Sequence, residues 1–169
     1  MPRALMATLA SLALAACISV NDRPHEPAAR TSALEGGAPN EMKVAFDVTE
    51  GNPKALLGKL NTIDVTRKQL LERGIAPRIV IAFRGDASYF TNTDVAQIKE
   101  ADRADAAKIA AKIRELQQAN GVVAVEQCNL PLASRKLKAA EVMQEVKVVP
   151  NGWISLVDYQ QRGYAYIVP

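Results

Sequence analysis

The chain is predicted to be an α/β protein, a three-layer α/β/α domain built on a five-stranded, mainly parallel sheet. Three observations carry this expectation. Short apolar runs alternate with helix-period segments from Met42 to Pro169, the strand, helix, strand order that winds a parallel sheet. One of those runs, Arg78-Ile79-Val80-Ile81-Ala82-Phe83, is near-continuously apolar, as expected of a strand buried on both faces. The composition, 49% hydrophobic and 23% charged over 169 residues, suffices for one core of ordinary size and excludes global disorder.

The elements follow in order. Lys43 to Thr49 forms the first strand. Asn52 and Pro53 then supply an N-cap and a first-turn residue. Leu56, Leu60 and Ile63 recur at helical spacing, and the helix is predicted to run to Arg73, with Gly74 as its stop. The second strand, Arg78 to Phe83, closes at Arg84-Gly85. A loop from Asp86 to Asp94 leads into a long helix predicted over Val95 to Gln118, with Ile109, Ile113 and Leu116 on its inner stripe. Val122 to Val125 begins a third strand that ends near Cys128. A short helix is expected around Ser134 to Gln144, then a strand from Val146 to Val149. A last helix from Gly152 to Gln161 and a fifth strand from Tyr164 to Val168 complete the domain.

Ahead of the domain the character changes. Arg3 and the amino terminus form a small positive region, and an apolar run extends from Ala4 to Ala16. Such a run is too short for the ~20 residues that cross a bilayer as a helix, and suits the apolar core of a signal peptide. Residues 1–16 are therefore expected to be removed. The run ends Leu14-Ala15-Ala16-Cys17, which resembles the lipobox of bacterial lipoproteins, in which the cysteine is acylated. Ordinary secretion stays open beside it, because Ala13-Leu14-Ala15 also fits a small-x-small cleavage site. Ile18-Ser19 follows the cysteine with no aspartate. The lipoprotein resemblance thus implies an exported protein held in the bilayer through Cys17, at the outer membrane facing the periplasm in a Gram-negative cell. Residues 17–41 carry Pro24, Pro27, Gly36, Gly37 and Pro39 and few large apolar side chains. They read as a flexible tether spanning ~25–30 Å on average, with residues 42–169 as the folded body.

Charge and residue inventory exclude several functions. The net charge of +3 falls to +2 once Arg3 is removed with the leader, which gives no field for nucleic acid. The one histidine, His25, lies in the tether, so a Ser-His-Asp triad, a Cys-His pair or a His-rich metal site has no histidine inside the fold. No G-x-G-x-x-G and no G-x-x-x-x-G-K-[ST] follows a strand, and neither a cofactor nor a metal is expected. Asp47, Glu50 and Asp86 lie near strand ends and read as solvated caps.

Cys128 is the candidate for chemistry. It follows the third strand in Glu126-Gln127-Cys128-Asn129-Leu130-Pro131, and ligands of open α/β sheets bind outside the carboxyl ends of strands. A helix N-terminus beyond it and the nearby Arg135 would favour the thiolate, the nucleophilic form. A buried, space-filling cysteine stays open as the alternative. Trp153 either lines a pocket beside the cysteine or belongs to the core. Tyr89 and Phe90 either form an exposed patch or close the domain over a helix.

The body resembles the DsrE/DsrF-like family, named for sulfur-relay proteins. The marks are Leu60-Asn61 in the first helix, Phe83-Arg84-Gly85, Val125-Glu126-Gln127-Cys128-Asn129 with Arg135 after it, Val148-Val149-Pro150-Asn151-Gly152, and the ending Arg162 to Pro169. Many members carry His-Gly where this chain carries Arg84-Gly85. The resemblance implies a compact α/β/α domain that forms homo- or hetero-oligomers. It also implies a cysteine after the third strand that carries sulfur as a persulfide, matched here by Cys128. The expected function is a membrane-tethered persulfide carrier using Cys128 and Arg135, with Arg84, Asn129 and Trp153 lining the site and a thiol or persulfide protein as partner. The alternative is a non-catalytic lipoprotein that uses the fold for assembly or ligand binding, with Cys128 structural.

Overall fold

The computed structural model describes residues 39–169. Cys17, the expected leader and nearly all of the tether lie outside the described residues. Strand β1 is Glu41–Val48, followed by helix α1, Pro53–Glu72. Asn52 caps α1 by accepting the Ala55 N–H, with Pro53 in the first turn. Strand β2 is Ala76–Phe83, helix α2 is Arg103–Gln118, and β3 is Val122–Cys128. Helix α3, Asn129–Ser134, leads by an irregular segment to β4, Lys147–Val149. Helix α4, Gly152–Gln161, and β5, Ala165–Ile167, end the fold.

The five strands form one sheet in the order β4-β3-β2-β1-β5. Every pairing is parallel, so the sheet is parallel throughout and not merely in the main. All strand carboxyl ends therefore lie along one edge, and the loops that leave them share one rim.

The alternation of side chains along the strands sorts the two faces. Val44, Phe46, Val48, Ile79, Ile81 and Phe83 join Leu56, Leu60 and Ile63 of α1 and Ile109, Ile113 and Leu116 of α2 in the larger core. The opposite face offers Ala45, Val80, Ala82 and Ala124, against which Leu156 and Tyr159 of α4 pack. A buried carboxylate, Asp64, ties α1 to α2. It accepts from Arg67 on its own helix and from Lys112 on α2, and it pairs with Lys68. Burial works against its charge, but these three cations overcome that and hold its carboxyl well below the usual range.

Two helix boundaries depart from expectation. The helix predicted from Val95 begins only at Arg103, after two single 3₁₀ turns at Val95–Gln97 and Glu100–Asp102. Asp94 caps its own short turn through the Ala96 N–H, and Ile98 adopts an extended backbone that buries its side chain. Burial of Ile98 thus wins over helix continuity. The helix expected around Ser134 to Gln144 instead occupies Asn129–Ser134. It stops where Lys136 turns into the left-handed region at φ 57°, and only one 3₁₀ turn, Ala139–Glu141, follows.

Candidate functional site

Cys128 is the last residue of β3 and pairs in register with Val149 of β4. Its side chain points to the α4 face, as do Glu126 on its own strand and Asp47 on β1. The register sets Asp47 beside Ala82, two residues before Arg84. The face that is lined with small residues at its centre therefore becomes polar at its carboxyl edge.

The thiol sulfur is 3.1 Å from the Gly152 nitrogen, whose N–H it accepts at the first turn of α4. That approach requires glycine. A Cβ at position 152 would lie 2.7 Å from Arg84 Cδ and 2.9 Å from Cys128 Cβ. The positive end of α4 is thus aimed at the sulfur, where it favours negative charge. The helix that directly follows Cys128, α3, makes no capping bond to its side chain. The Cys128 carbonyl is fixed from the other side of the sheet by Gln127, whose amide donates to it at 2.7 Å and to Ser88 Oγ at 2.8 Å. Gln127 in turn accepts from Thr91 Oγ1.

Arg84 leaves β2 next to Cys128. Its guanidinium grips the buried Asp47 through Nε at 2.8 Å and through Nη2, and Tyr166 of β5 donates to the same carboxylate at 2.6 Å. The bond to Asp47 raises the guanidinium further above its ordinary range, against the opposing effect of burial; negative charge on Tyr166 and Cys128 would act in the same direction. The hydrogen bond that Tyr166 itself gives to Asp47 pushes its hydroxyl up, with burial adding to the effect and Arg84 opposing it. Nε and Nη2 are spent on Asp47, and the Trp153 ring lies over the guanidinium, 5.4 Å from its carbon. Gly85, at φ 54°, turns the chain sharply away from this group.

A cavity of about 370 Å³ opens over the sulfur. Arg84, Gly85, Leu130, Pro131, Arg135 and Trp153 are among its walls. Cys128 is 4% exposed and forms part of the floor, whereas Trp153, 65% exposed, stands at the mouth. Arg84, Trp153 and Arg135 thus converge with Cys128 on one cavity. Asn129 opens α3 and is not part of the wall. Arg135 gives its Nε and Nη2 to Asp86 and lies over the Tyr89 ring, 5.9 Å from its centroid. Tyr89 is partly buried and Phe90 belongs to the larger core, so the pair closes the domain.

Asp47 was expected to be a solvated cap, and the structure corrects that reading. Glu50 and Asp86 are exposed or nearly so, as expected of caps, but Asp47 is buried and holds Arg84. The available signal was an acid inside an apolar strand; its pairing with Arg84 depends on the β1–β2 register. Gly152, whose N–H meets the sulfur, gave no such signal.

On the same face lies a second buried carboxylate. Glu126 accepts from Ser155 Oγ and Tyr159 Oη of α4. Burial and the neighbouring Glu126 carboxylate push the Tyr159 hydroxyl up to about 12. This pair secures α4 to β3 and so fixes where the N-terminus of α4 meets Cys128.

The parallel sheet with helices on both faces defines the class, an α/β/α domain, and among the described residues its one cysteine closes an interior strand. The chain belongs to the DsrE/DsrF-like family, whose model matches residues 42–169. A relative, an uncharacterized protein of Aquifex aeolicus (strain VF5), is 28% identical over 126 residues. The match covers 75% of this chain and 55% of that one, so the chain spans about half the length of this relative. Among solved structures, a protein of unknown function from Methanobacterium thermoautotrophicum superposes with a TM-score of 0.54 at 20% identity. That match covers 76% of this chain and 99% of the other and bears on the fold.

Proposed function

We propose that the domain binds or relays sulfane sulfur as a persulfide on Cys128, and that acyl chains on Cys17 tether it to a bilayer, facing the periplasm from the outer membrane. The observation that carries the reading is the Gly152 N–H directed at Cys128 Sγ at 3.1 Å on the floor of a cavity. The thiolate attacks the outer sulfur of a persulfide donor. A new S–S bond forms to Cys128, the donor's own S–S bond breaks, and the donor leaves as its thiolate. The proton on the transferred sulfur travels with it, so no histidine is needed, in the manner of thiol–disulfide exchange. The α4 N-terminus and Arg84 stabilise the negative charge. An acceptor thiol, on a protein partner, later removes the outer sulfur by the same exchange, because that sulfur stands one S–S bond, ~2 Å, beyond Sγ.

Self-association belongs to this reading. Trp153, Ile154 and Val157 form an exposed, uncharged stripe on the outer side of α4, and Tyr166, Ile167 and Val168 are exposed at the β5 end of the sheet. Such surface suits an interface between copies.

Polysulfide treatment followed by intact-mass measurement is expected to add sulfur to the wild type and none to Cys128→Ser. The competing reading, a lipoprotein with a structural cysteine, draws on the 4% exposure of Cys128. It requires that iodoacetamide label Cys128 only after denaturation, and that result would remove the carrier. Membrane-fraction recovery of the wild type but not of Cys17→Ser checks the anchor.

A further inference from the structure

The two arginines on the cavity wall differ in a way that assigns them different jobs. Arg84 is locked: its partner Asp47 is 2% exposed and also accepts from Tyr166. Arg135 is not. Its partner Asp86 has a side chain 61% exposed, and a solvent-facing pair of this kind contributes little. A ligand carboxylate can therefore replace or share Asp86 without leaving a buried charge unpaired. Guanidinium groups pair with carboxylates through two parallel N–H donors, whereas the Nε and Nη2 edge of Arg135 now meets only one oxygen of Asp86, Oδ1.

Leu130, Pro131 and Trp153 give the cavity wall an apolar part beside the polar Ser134 and Asn151, and Ser134 Oγ accepts from Arg135 Nη1. Cys128 lies at the floor and barely reaches the surface. A cysteine on the rigid face of a docked protein meets the rim before it meets that sulfur. A small molecule does not have this difficulty, and about 370 Å³ lies within the ~300–1,000 Å³ range of small-molecule sites.

Building on the persulfide reading, we infer that the sulfur donor is a low-molecular-weight persulfide bearing a carboxylate, whose carboxylate is held by Arg135 while its outer sulfur meets Cys128. The transfer is the exchange already described. Cys128 gains the outer sulfur with its proton, and the donor departs as a small carboxylated thiolate.

The test compares two donors on the full chain by intact mass over time: glutathione persulfide, which carries carboxylates, and the persulfide of 2-mercaptoethanol, which carries none. Wild type is expected to load faster from the carboxylated donor. In Arg135→Gln the ratio of the two rates is expected to fall about tenfold, the scale of one lost charge-assisted hydrogen bond. Asp86→Asn, which removes the competing carboxylate at an exposed position, is expected to raise the ratio, and it keeps the test decisive if Arg135→Gln fails to fold. A ratio that stays within twofold in both variants, with sulfur still loading, overturns the carboxylate subsite and leaves the carrier intact. No loading of wild type from either donor overturns the carrier itself.

Discussion

The two faces of the sheet are built on opposite plans. Towards α1 and α2 the strands present Val44, Phe46, Val48, Ile79, Ile81 and Phe83, and the helices answer with leucine and isoleucine. Towards α4 they present Ala45, Val80, Ala82 and Ala124, and then Asp47, Arg84, Glu126 and Cys128 at the carboxyl edge. Large aliphatic side chains make the first face a source of stability. Small residues on the second let a single ten-residue helix approach closely enough for its first N–H to touch a sulfur. Stability and the proposed chemistry are thus divided between faces, and substitutions can break the division.

The largest effect belongs to the aliphatic face. Leu60 is fully buried between α1 and the sheet, and Leu60→Ala is expected to cost about 3–5 kcal/mol in urea unfolding. Leu156→Ala, on the α4 side, is expected to cost about 2 kcal/mol, since the strands beneath it present mostly alanine, at Ala45, Ala82 and Ala124. Equal costs would erase the contrast.

Asp64 sharpens it through pH. Its carboxyl is held well below the usual range by Lys68, Lys112 and Arg67, which outweigh its burial. A carboxylate with a lowered folded value binds its proton first in the unfolded chain. Its contribution is therefore complete above the unfolded value of ~3.9 and is lost as pH falls from there towards the lowered folded value. Asp64→Asn is expected to cost about 3 kcal/mol at neutral pH, with the gap to wild type closing as pH drops below ~4. Denaturation midpoints measured from pH 7 to pH 2 check this, and a gap that widens on acidification refutes it.

Much of this arrangement could be read in the sequence, and the exceptions have physical causes. The five strands were legible because each is an apolar run closed by a turn residue. Helix α1 was legible because Asn52 caps it and Gly74 follows it. The start of α2 was not, because no glycine or proline separates Thr93 from Arg103, and the break comes from Ile98 turning into the core. Cys128, Arg84 and Trp153 could be placed together because each lies near a strand's carboxyl end. The grip of Asp47 on Arg84 depends on the β1–β2 register, and the Gly152 contact on the path of β4. A one-dimensional pattern carries neither.

Smaller effects are expected where the chemistry lies. Gly152→Ala places a Cβ against Arg84 Cδ and Cys128 Cβ. The expected cost is about 1–3 kcal/mol of overpacking, together with slower iodoacetamide labelling of Cys128 as the sulfur is pushed off the N–H. Gly58 in α1 provides the contrast, since nothing lies within 4 Å of a Cβ there. Gly58→Ala is expected to stabilise by about 0.5–1 kcal/mol without changing the labelling. Slower labelling in both variants would mean that the Gly152 effect is not local.

The smallest effect on stability is expected at Trp153, the largest side chain near the sulfur. In most domains a tryptophan truncation is among the most damaging, because the ring is core. Here the ring is 65% exposed and lies against the guanidinium of Arg84, 5.4 Å away. Arg84 keeps its grip on Asp47 without the ring. Trp153→Ala is therefore expected to change unfolding free energy by no more than about 0.5 kcal/mol, while widening the mouth of the cavity and quickening alkylation of Cys128. A loss approaching that of Leu60→Ala would mean that the α4 face carries stability after all. Unchanged alkylation would mean that Trp153 does not govern access to the sulfur. Small cost with faster labelling is the combination that a division of labour between the faces requires, because only there can a tryptophan be removed as a gate without being missed as a core residue.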